Sequence, residues 1–333
     1  MLLATEAPRE KLRDPVVGAR PLFDGSCQID EMAGDMSADN RVSVLIVNFN
    51  AGNDLSCGVQ AALLQADEVV VVDNASSDDS LEQVAHLAQT EKRLSVIANP
   101  QNLGFARACN IAAGAARGDI LLFLNPDCVL APGALVEMRK ALLQDAAAGM
   151  VGGLLLNTDG SEQAGGRRLV PTPWRTFVRA FGLARLEKRY PRLFQGYDQH
   201  REPLPQGPAE VEAISGACMM VRREALREVG LLDEGYFMHC EDLDWCMRFR
   251  QKGWRILFVP TARVTHVKGV CSKARPMFVE WHKHRGMVRF YRKFFRHQYP
   301  GVLMWAVVLA VWLRFAAVSG AHMVRKWLRV LPA

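Results

Sequence analysis

The chain has 333 residues and 50% apolar content, enough for a sizeable core in one large domain or in one domain with appendages. Its net charge of +6 is unevenly distributed. Residues 281–333 contain ten Lys or Arg and no Asp or Glu, whereas the other 280 residues contain 31 basic and 35 acidic groups. The net positive charge of the chain therefore comes from this tail alone. This argues against nucleic-acid binding by the whole protein and favours docking of 281–333 on an anionic membrane surface.

The start of the chain and its cysteines are typical of a cytosolic protein. Residues 1–40 mix Pro, Gly, Asp and Ser without periodicity, which predicts a flexible extension, and their apolar run is too short for a secretory signal. The eight cysteines include no CxxC pair and no zinc-like spacing, so we expect reduced thiols.

Short β-branched runs alternate with helical patterns in the first part of the chain. This alternation predicts an α/β fold with a mostly parallel central sheet and helices on both faces. Strands are predicted at 41–50, 68–76, 93–100 and 119–124, and helices at 53–65, 80–90 and 102–118, the last one stopped by Gly118.

The second part of the chain is less regular. Residues 157–210 are predicted to be a long loop region with one basic helix near 174–189. A strand and helix follow at 211–230, then a short helix at 241–254 closed by Gly253, and a last pair of strands at 255–269.

Polar clusters follow each of the first four strands: "NFN", "DNASSDD", "NPQN" and "NPD". In parallel sheets ligands bind outside the carboxyl ends of the strands, so this edge is the predicted nucleotide site. One of Ser77, Asp78 and Asp79 is explained as the residue that caps the amino terminus of the next helix. Capping does not explain Asp73, whose carboxylate we expect to bind a base or ribose.

The "NPD" cluster is the strongest candidate for a metal site. Asn-Pro-Asp alone is a common turn. After a buried strand, however, Asp127 can hold a hard divalent cation against substrate phosphates. His266 ends an apolar strand; such a lone histidine is more often structural, and it becomes a candidate ligand only beside a metal.

Three carboxylates, Glu241, Asp242 and Asp244, crowd into "HCEDLDWCMR". A helix amino terminus favours acids, which explains one of them. Crowded like charges raise one another's pKa and are typical of functional sites, so one of the three is predicted to be a general base.

Seven motifs in this order resemble the family 2 glycosyltransferases with a GT-A fold, and within them the bacterial rhamnosyltransferase-like enzymes. The motifs span residues 43–272. They are "VSVLIVNFN", "VVVDNASSDDS", "NPQNLGFARACNIA", "LLFLNPDCVL", "SGACMMVRREAL", "GLLDEGYFMHCEDLDWCMR" and "VTHVKGVCS".

The resemblance implies roles for individual residues. Asp242 matches the catalytic aspartate of the family, with Glu241, Asp244 and Trp245 on the acceptor side or behind it. Asp127 would bind Mg²⁺ or Mn²⁺, with His266 as a further ligand. Asn125 stands where the family has a first Asp, which leaves one metal carboxylate instead of two. The nucleotide-sugar would be held by Phe49, Asn50, Asp73, Asn102, Arg107, Asn125 and Asp127.

The implied activity is inverting transfer of a sugar, such as L-rhamnose from dTDP-rhamnose or a sugar from another dTDP- or UDP-donor, to a lipid-linked or glycan acceptor in cell-surface polysaccharide synthesis. A sugar nucleotidyltransferase would need a Gly-rich basic loop after the first strand, and "NFNAGNDL" is not one. A dinucleotide oxidoreductase is disfavoured because no GxGxxG follows a strand. A membrane-docked binding protein without turnover stays open as an alternative.

The tail combines basic and apolar residues. A spanning helix needs about 20 apolar residues, and an Arg near its centre costs about 2.5–3.5 kcal/mol. Because Arg314 interrupts the run from 302 to 324, we expect interfacial helices anchored by Trp305, Trp312 and Trp327, on the inner face of the cell membrane. The alternative is a helix packed on the catalytic domain. The predicted domains are therefore 1–40, 41–275 and 276–333, with the tail dispensable for the sugar-nucleotide site.

Overall fold

The computed structural model describes residues 40–187, 189–194, 196–267 and 275–328. The predicted extension at 1–40 lies outside these residues except for its last position, and so do residues 268–272 of the last motif. All the described residues belong to one compact unit.

The strands and helices follow the predicted order. The strands are β1 (Val42–Asn48), β2 (Glu68–Asp73), β3 (Leu94–Ala98), β4 (Ile120–Leu124), β5 (Cys128–Leu130), β6 (Ala148–Leu156), β7 (Arg167–Arg168), β8 (Ala209–Glu210), β9 (Ala213–Ile214), β10 (Cys218–Arg222) and β11 (Arg255–His266). The helices are α1 (Asn53–Leu63), α2 (Ser80–Ala88), α3 (Phe105–Ala115), α4 (Ala134–Gln144), α5 (Pro173–Ala180), α6 (Pro191–Phe194), α7 (Arg223–Val229), α8 (Glu241–Gln251), α9 (Pro276–Phe295) and α10 (Val302–Leu328), with a 3-10 helix at Leu183–Leu186.

The central sheet has the strand order β3-β2-β1-β4-β10-β6-β11-β5, with β8 added beside β11. Strands β3, β2, β1 and β4 are parallel, as their alternation with helices predicts. Beyond β4 the sheet is mixed, because β10 runs antiparallel to both β4 and β6. The α/β fold is confirmed. The parallel half of the sheet, β3 to β4 in the strand order, is the half whose strands are followed by the polar clusters.

Helices cover both faces of the sheet, as predicted. On one face α1, α2 and α4 pack on residues such as Val44 and Val71. On the other face α3, α7 and α8 cover the sheet above residues such as Leu45 and Val70, and α9 and α10 continue this cluster outward. Because alternate residues of each strand face opposite sides, both sets of side chains are buried and the strands read as continuous apolar runs.

Three local predictions differ from the structure. Helix α3 ends at Ala115, three residues before Gly118. Residues 255–266 form the single strand β11, whose register against β6 shifts between Val259 and Arg263, rather than a pair of strands. The region 157–210 contains α5, near its predicted place, and also the short strands β7 and β8.

The tail is joined to the core through α9. Its residues His284, Gly286, Val288, Phe290, Tyr291 and Phe295 are buried. One side of α10 packs on this helix through Met304, Val308 and Val311, while its other side is exposed. Helix α9 thus packs on the core, while the boundary at residue 275 and the dispensable tail stay predictions.

Helix α10 is also a candidate membrane segment. Val302–Arg325 is long and apolar enough to cross a membrane, by length and composition alone. Its packing on α9 agrees with the alternative of a packed helix, while its exposed apolar side leaves interfacial contact open.

Candidate active site

Asp73 lies at the end of β2, on the predicted edge, and is 1% exposed. Its Oδ1 accepts hydrogen bonds from Asn48 Nδ2 (2.8 Å) and Ser76 Oγ (2.6 Å), and its Oδ2 accepts one from the Ser76 amide (3.0 Å). The carboxylate therefore fixes the loops after β1 and β2 to each other. This role places it under the predicted nucleotide site.

Phe49 and Asn50 follow β1 directly and are half-buried. Asn50 has a positive φ of 53°, a conformation that a short polar side chain tolerates. Its Oδ1 accepts a hydrogen bond from the Ser77 amide (2.7 Å), which joins this turn to the loop after β2. Asn50 and Asp73, far apart in the sequence, thus belong to one surface.

The loop after β3 is attached to the same edge by Asn74, which sequence reasoning did not single out. Asn74 is 2% exposed, and its Nδ2 donates to Asn102 Oδ1 (2.9 Å). Asn102 is therefore held close to Asp73. Arg107 is more than half exposed, and its Nε lies 3.7 Å from Glu234 Oε2.

Asp127 and His266 meet as the metal hypothesis requires. His266 Nε2 lies 3.2 Å from Asp127 Oδ1, and the two side chains are 9% and 6% exposed. Strand β5 brings them together, because Cys128 pairs with His266 across the sheet. Asn125 is also present, with its Nδ2 3.4 Å from His266 Nε2.

Gln163 orients His266 and was missed from the sequence, because it is a polar residue in an irregular segment. Its Oε1 lies 2.7 Å from His266 Nδ1, and its Nε2 donates to the His266 carbonyl (3.3 Å). An Nδ1–H donor to Gln163 leaves the Nε2 lone pair free to bind a cation. This tautomer, assigned from the hydrogen bonds, fits a metal ligand.

Cys128 lies close to Asp127 and His266 but is poorly suited as a ligand here. Burial raises the pKa of its thiol well above the usual value, and the Sγ donates to the Ala217 carbonyl. Soft sulfur is also a poor partner for Mg²⁺ or Mn²⁺. The fitting donors are thus the oxygens of Asp127 and the nitrogen of His266.

Asp242 lies in the first turn of α8, and its side chain is 13% exposed. Its Oδ1 accepts from the Leu243 amide (2.7 Å), and its Oδ2 accepts from the Gly216 amide (3.0 Å) and from Arg168 Nη2. A carboxylate offers about four lone-pair positions, so roughly one is left for a substrate hydroxyl. Arg168, which sequence reasoning missed, forms an ion pair with Asp242 and so helps to hold its carboxylate in place.

Asp242 and Asp127 are linked through the turn before β10. The Gly216 amide binds Asp242, and the carbonyl of the next residue, Ala217, accepts from the Asn125 amide (2.9 Å). The predicted base and the predicted metal ligand are therefore on one edge of the sheet.

Glu241, beside Asp242, is in a different electrostatic state. It is 6% exposed, and its Oε2 has no hydrogen-bond partner among the described residues. Burial, and then the charge of Asp242, raise the pKa of Glu241 to about 8. The carboxyl is therefore mostly protonated at neutral pH, as the crowding of acids predicts for one of the three.

Asp244 and Trp245 lie in the core, both 0% exposed. Asp244 binds Arg248 Nε (2.7 Å), Lys293 Nζ (2.6 Å) and the Tyr236 hydroxyl (3.1 Å). The Trp245 ring packs edge-on against Phe123. Neither side chain reaches a surface where an acceptor could bind, so both position α8 from behind.

The segment before α8 takes a conformation that fixes where Asp242 lies. His239 and Cys240 have positive φ values of 65° and 72°, unusual for residues other than glycine. Helix α9 supports this turn at Gly286, where a Cβ atom would lie 2.8 Å from the His239 carbonyl oxygen. The position of Asp242, the predicted base, thus depends on close contact between the turn and α9.

Comparison with known families is consistent with this geometry. The sequence model described as glycosyl transferase family 2 matches residues 43–230, more than half of the chain. The one described as glycosyl transferase family group 2 matches residues 169–331. The chain is also 28% identical over 239 residues to the N-acetylglucosaminyl-diphospho-decaprenol L-rhamnosyltransferase of Mycobacterium tuberculosis, a match that covers 68% of this chain and 75% of that protein.

Two solved structures share the fold. GalNAc-T7 with UDP, GalNAc and Mn²⁺ has a TM-score of 0.56 and 20% identity, over 77% of this chain and 48% of that one. The mannosyltransferase PcManGT from Pyrobaculum calidifontis, with GDP-Man and Mn²⁺, has a TM-score of 0.53 and 18% identity. This match covers 88% of this chain and 81% of that one. At these identities the likeness concerns the fold alone, and it confirms the predicted GT-A architecture.

Proposed function

The chain belongs to glycosyl transferase family 2, and from this premise we propose that it transfers a sugar from a nucleotide-sugar to a lipid-linked or glycan acceptor, with inversion at the anomeric carbon. The observation that carries the proposal is the environment of Asp242. Its carboxylate is held by two backbone amides and Arg168, has about one acceptor position left, and lies on the same edge as Asp127, Asp73 and Asn50.

Asp242 is the general base in this proposal. The acceptor hydroxyl gives its proton to the carboxylate as its oxygen bonds to the anomeric carbon, and the bond from that carbon to the diphosphate oxygen breaks. Because attack and departure occur on opposite sides of the carbon in one step, its configuration inverts. Gly216 and Arg168 hold the carboxylate in place.

A divalent cation would be held by Asp127 and His266, with Asn125 beside them. When bound, it supplies positive charge that stabilises the diphosphate leaving group. One carboxylate oxygen and one imidazole nitrogen suit Mn²⁺ better than Mg²⁺, which prefers oxygen ligands. The Mn²⁺ in both related structures supports this choice.

The proposed donor is dTDP-L-rhamnose, and the proposed acceptor is a sugar on a polyprenyl diphosphate. The similarity to the mycobacterial rhamnosyltransferase supports both. A lipid-linked acceptor also suits a protein bound to the inner face of the cell membrane through α9 and α10. The exposed side of α10 and the basic residues of α9 support this location.

A donor screen tests the proposal. Nucleoside diphosphate release is measured with UDP-, GDP- and dTDP-sugars, with and without N-acetylglucosaminyl-diphospho-polyprenol, in Mn²⁺ and in chelator. We expect acceptor-dependent release, fastest with dTDP-L-rhamnose. Donor binding without release would identify a binding protein without turnover, and diphosphate release from a nucleoside triphosphate and a sugar phosphate would identify a nucleotidyltransferase.

A further inference from the structure

Helix α9 carries a stripe of four arginines. Arg285, Arg289, Arg292 and Arg296 are spaced by four, three and four residues, so they lie on one face of the helix over about 16 Å. All four are exposed. This face is distinct from the buried face that packs on the catalytic core.

Most of this charge is not neutralised by the protein. Arg289 pairs with Asp233 (2.9 Å). No acidic side chain among the described residues lies within 4.0 Å of a guanidinium nitrogen of Arg285, Arg292 or Arg296. Three like charges on one helix face are unfavourable unless an anion joins them.

The stripe lines two adjoining cavities. The first, of about 460 Å³, is bounded by Arg285, Arg289, Arg292 and Gly235. The second, of about 370 Å³, is bounded by Arg292, Arg296 and Trp305. Arg292 lines both cavities, which therefore adjoin at this side chain; the two together are named the groove.

An apolar stripe continues from the second cavity along α10. Val302, Trp305, Leu309 and Leu313 recur at helical spacing and are 85%, 72%, 59% and 61% exposed. Arginines in a groove followed by an exposed apolar stripe match a molecule with a compact anionic head and a long apolar chain.

The arginine stripe lies on the helix that supports the turn before Asp242. Gly286, which follows Arg285, lies so close to this turn that a Cβ atom there would be 2.8 Å from the His239 carbonyl oxygen. The stripe and Asp242 are therefore carried by neighbouring elements.

We propose that this groove binds the diphosphate of an isoprenoid-linked acceptor, with Arg285, Arg292 and Arg296 on the phosphates and the chain along Trp305 and Leu309. Arginine suits phosphate oxygens because its planar fork donates two parallel hydrogen bonds. Cavities lined by arginines fit a diphosphate better than the flat array of headgroups of a bilayer. This inference rests on the proposed function, which it deepens by locating the acceptor.

The probe is geranyl diphosphate, titrated by calorimetry into the full chain at fixed ionic strength, without divalent cations so that the donor site does not compete. We expect saturable binding that inorganic diphosphate displaces and geraniol does not. Arg292→Ala should weaken binding at least tenfold. The matched control is Arg227→Ala, which removes an exposed charge on α7 and should change affinity less than twofold.

A second variant separates the contribution of the isoprenoid chain to binding from that of the diphosphate. Trp305→Ala should weaken the binding of geranyl diphosphate and leave the affinity for inorganic diphosphate unchanged. Donor affinity of both variants should equal that of the wild type, which shows that they are folded.

Equal affinity in Arg292→Ala and the wild type overturns the inference. So does absence of geranyl diphosphate binding when Arg292→Ala reduces flotation on phosphatidylglycerol vesicles, because the stripe would then serve the bilayer. A wild-type chain that binds geranyl diphosphate but transfers no sugar would refute the proposed function and leave the site standing. A chain that transfers sugar to a polyprenyl diphosphate acceptor equally well with and without Arg292 would refute the site alone.

Discussion

Asp242 and Glu241 are adjacent carboxyls with opposite roles. Asp242 is paired with Arg168, whereas Glu241 is buried and, because its pKa is raised to about 8, mostly protonated at neutral pH. Asp242→Asn keeps the shape of the side chain but cannot accept a proton. We expect transfer to fall by about 10²–10⁴-fold while donor affinity is retained, since the base acts on the acceptor. Steady-state transfer and donor titration measure the two quantities.

Glu241→Gln is the matched control for this substitution, because an amide replaces a carboxyl that is already neutral. It should keep transfer within a few-fold of the wild type at pH 7. Near-normal turnover in Asp242→Asn, or an equal loss in both variants, would remove Asp242 from the role of base.

The raised pKa of Glu241 also predicts a pH dependence of stability. The folded state holds this proton up to about pH 8, whereas the unfolded chain releases it near the ordinary value of 4.5. The free energy of unfolding of the wild type should therefore decrease relative to that of Glu241→Gln as pH rises from about 5 to 8, by at most about 1.4 kcal/mol per pH unit. Urea unfolding of both proteins at several pH values measures this difference, and parallel curves would contradict the assignment.

A substitution of Gln163 tests the proposed metal site without removing a proposed ligand. Gln163→Leu deprives His266 Nδ1 of its acceptor, so we expect Mn²⁺-dependent donor affinity to fall about 10–100-fold. Affinity in excess chelator should not change. Asp127→Ala, which removes a ligand, should abolish the Mn²⁺ dependence.

The control for Gln163→Leu is Gln251→Leu, at the exposed end of α8, which should bind Mn²⁺ and donor normally. If the Mn²⁺ dependence of Gln163→Leu matched that of the control, His266 would not be a metal ligand.

At the scale of elements, the contact between α9 and the turn before α8 leaves no room for an added side-chain atom. A Cβ atom at position 286 would lie 2.8 Å from the His239 carbonyl oxygen, so Gly286→Ala must push the helix or the turn aside. We expect a loss of about 1–3 kcal/mol of unfolding free energy, and a larger proportional loss of kcat than of donor affinity.

Gly114→Ala provides the comparison, because this glycine is also helical and a Cβ there would meet nothing within 4 Å. It should be neutral or stabilising by up to about 1 kcal/mol. Thermal unfolding and transfer assays on both variants test the pair; two stable and active proteins would show that the turn tolerates displacement.

The same elements show which features the sequence can predict. Strands β1 to β4 and their helices are specified by local apolar runs and by residues such as Asp73 and Asp127 at strand ends. The position of β10 between β4 and β6 depends on pairing between distant segments, which local periodicity does not encode. Arg168 and Gln163 were missed for a related reason: each acts through one partner far away in the sequence, and neither belongs to a recognisable motif.

At the scale of the whole molecule, the tail has two parts with different roles. Deleting 302–333 removes α10 and its exposed apolar side, and should abolish the salt-resistant part of binding to anionic vesicles. The basic residues of α9 remain and should give salt-sensitive binding, at about 1 kcal/mol per Lys or Arg near the surface. Deleting 281–333 also removes the buried residues of α9, so donor binding should be lost.

Vesicle flotation at low and high salt, with donor titration of each protein, measures these effects. Deletion of 329–333 alone is the control and should float like the full chain. If a protein lacking 281–333 still binds donor, the domain boundary predicted at residue 275 is correct. If the full chain never floats, α10 only packs on the core.

The pairing of β4 has a consequence for biosynthesis. One edge of this apolar strand, "ILLFL", is covered by β1, which the ribosome has already made. Its other edge is covered only by β10, where Leu124 pairs with Cys218. Until that later segment emerges, the nascent chain presents an unpaired hydrophobic strand edge, a template for aggregation. Overexpression should therefore depend on chaperones and slow translation, and fragments that end before β10 should be insoluble.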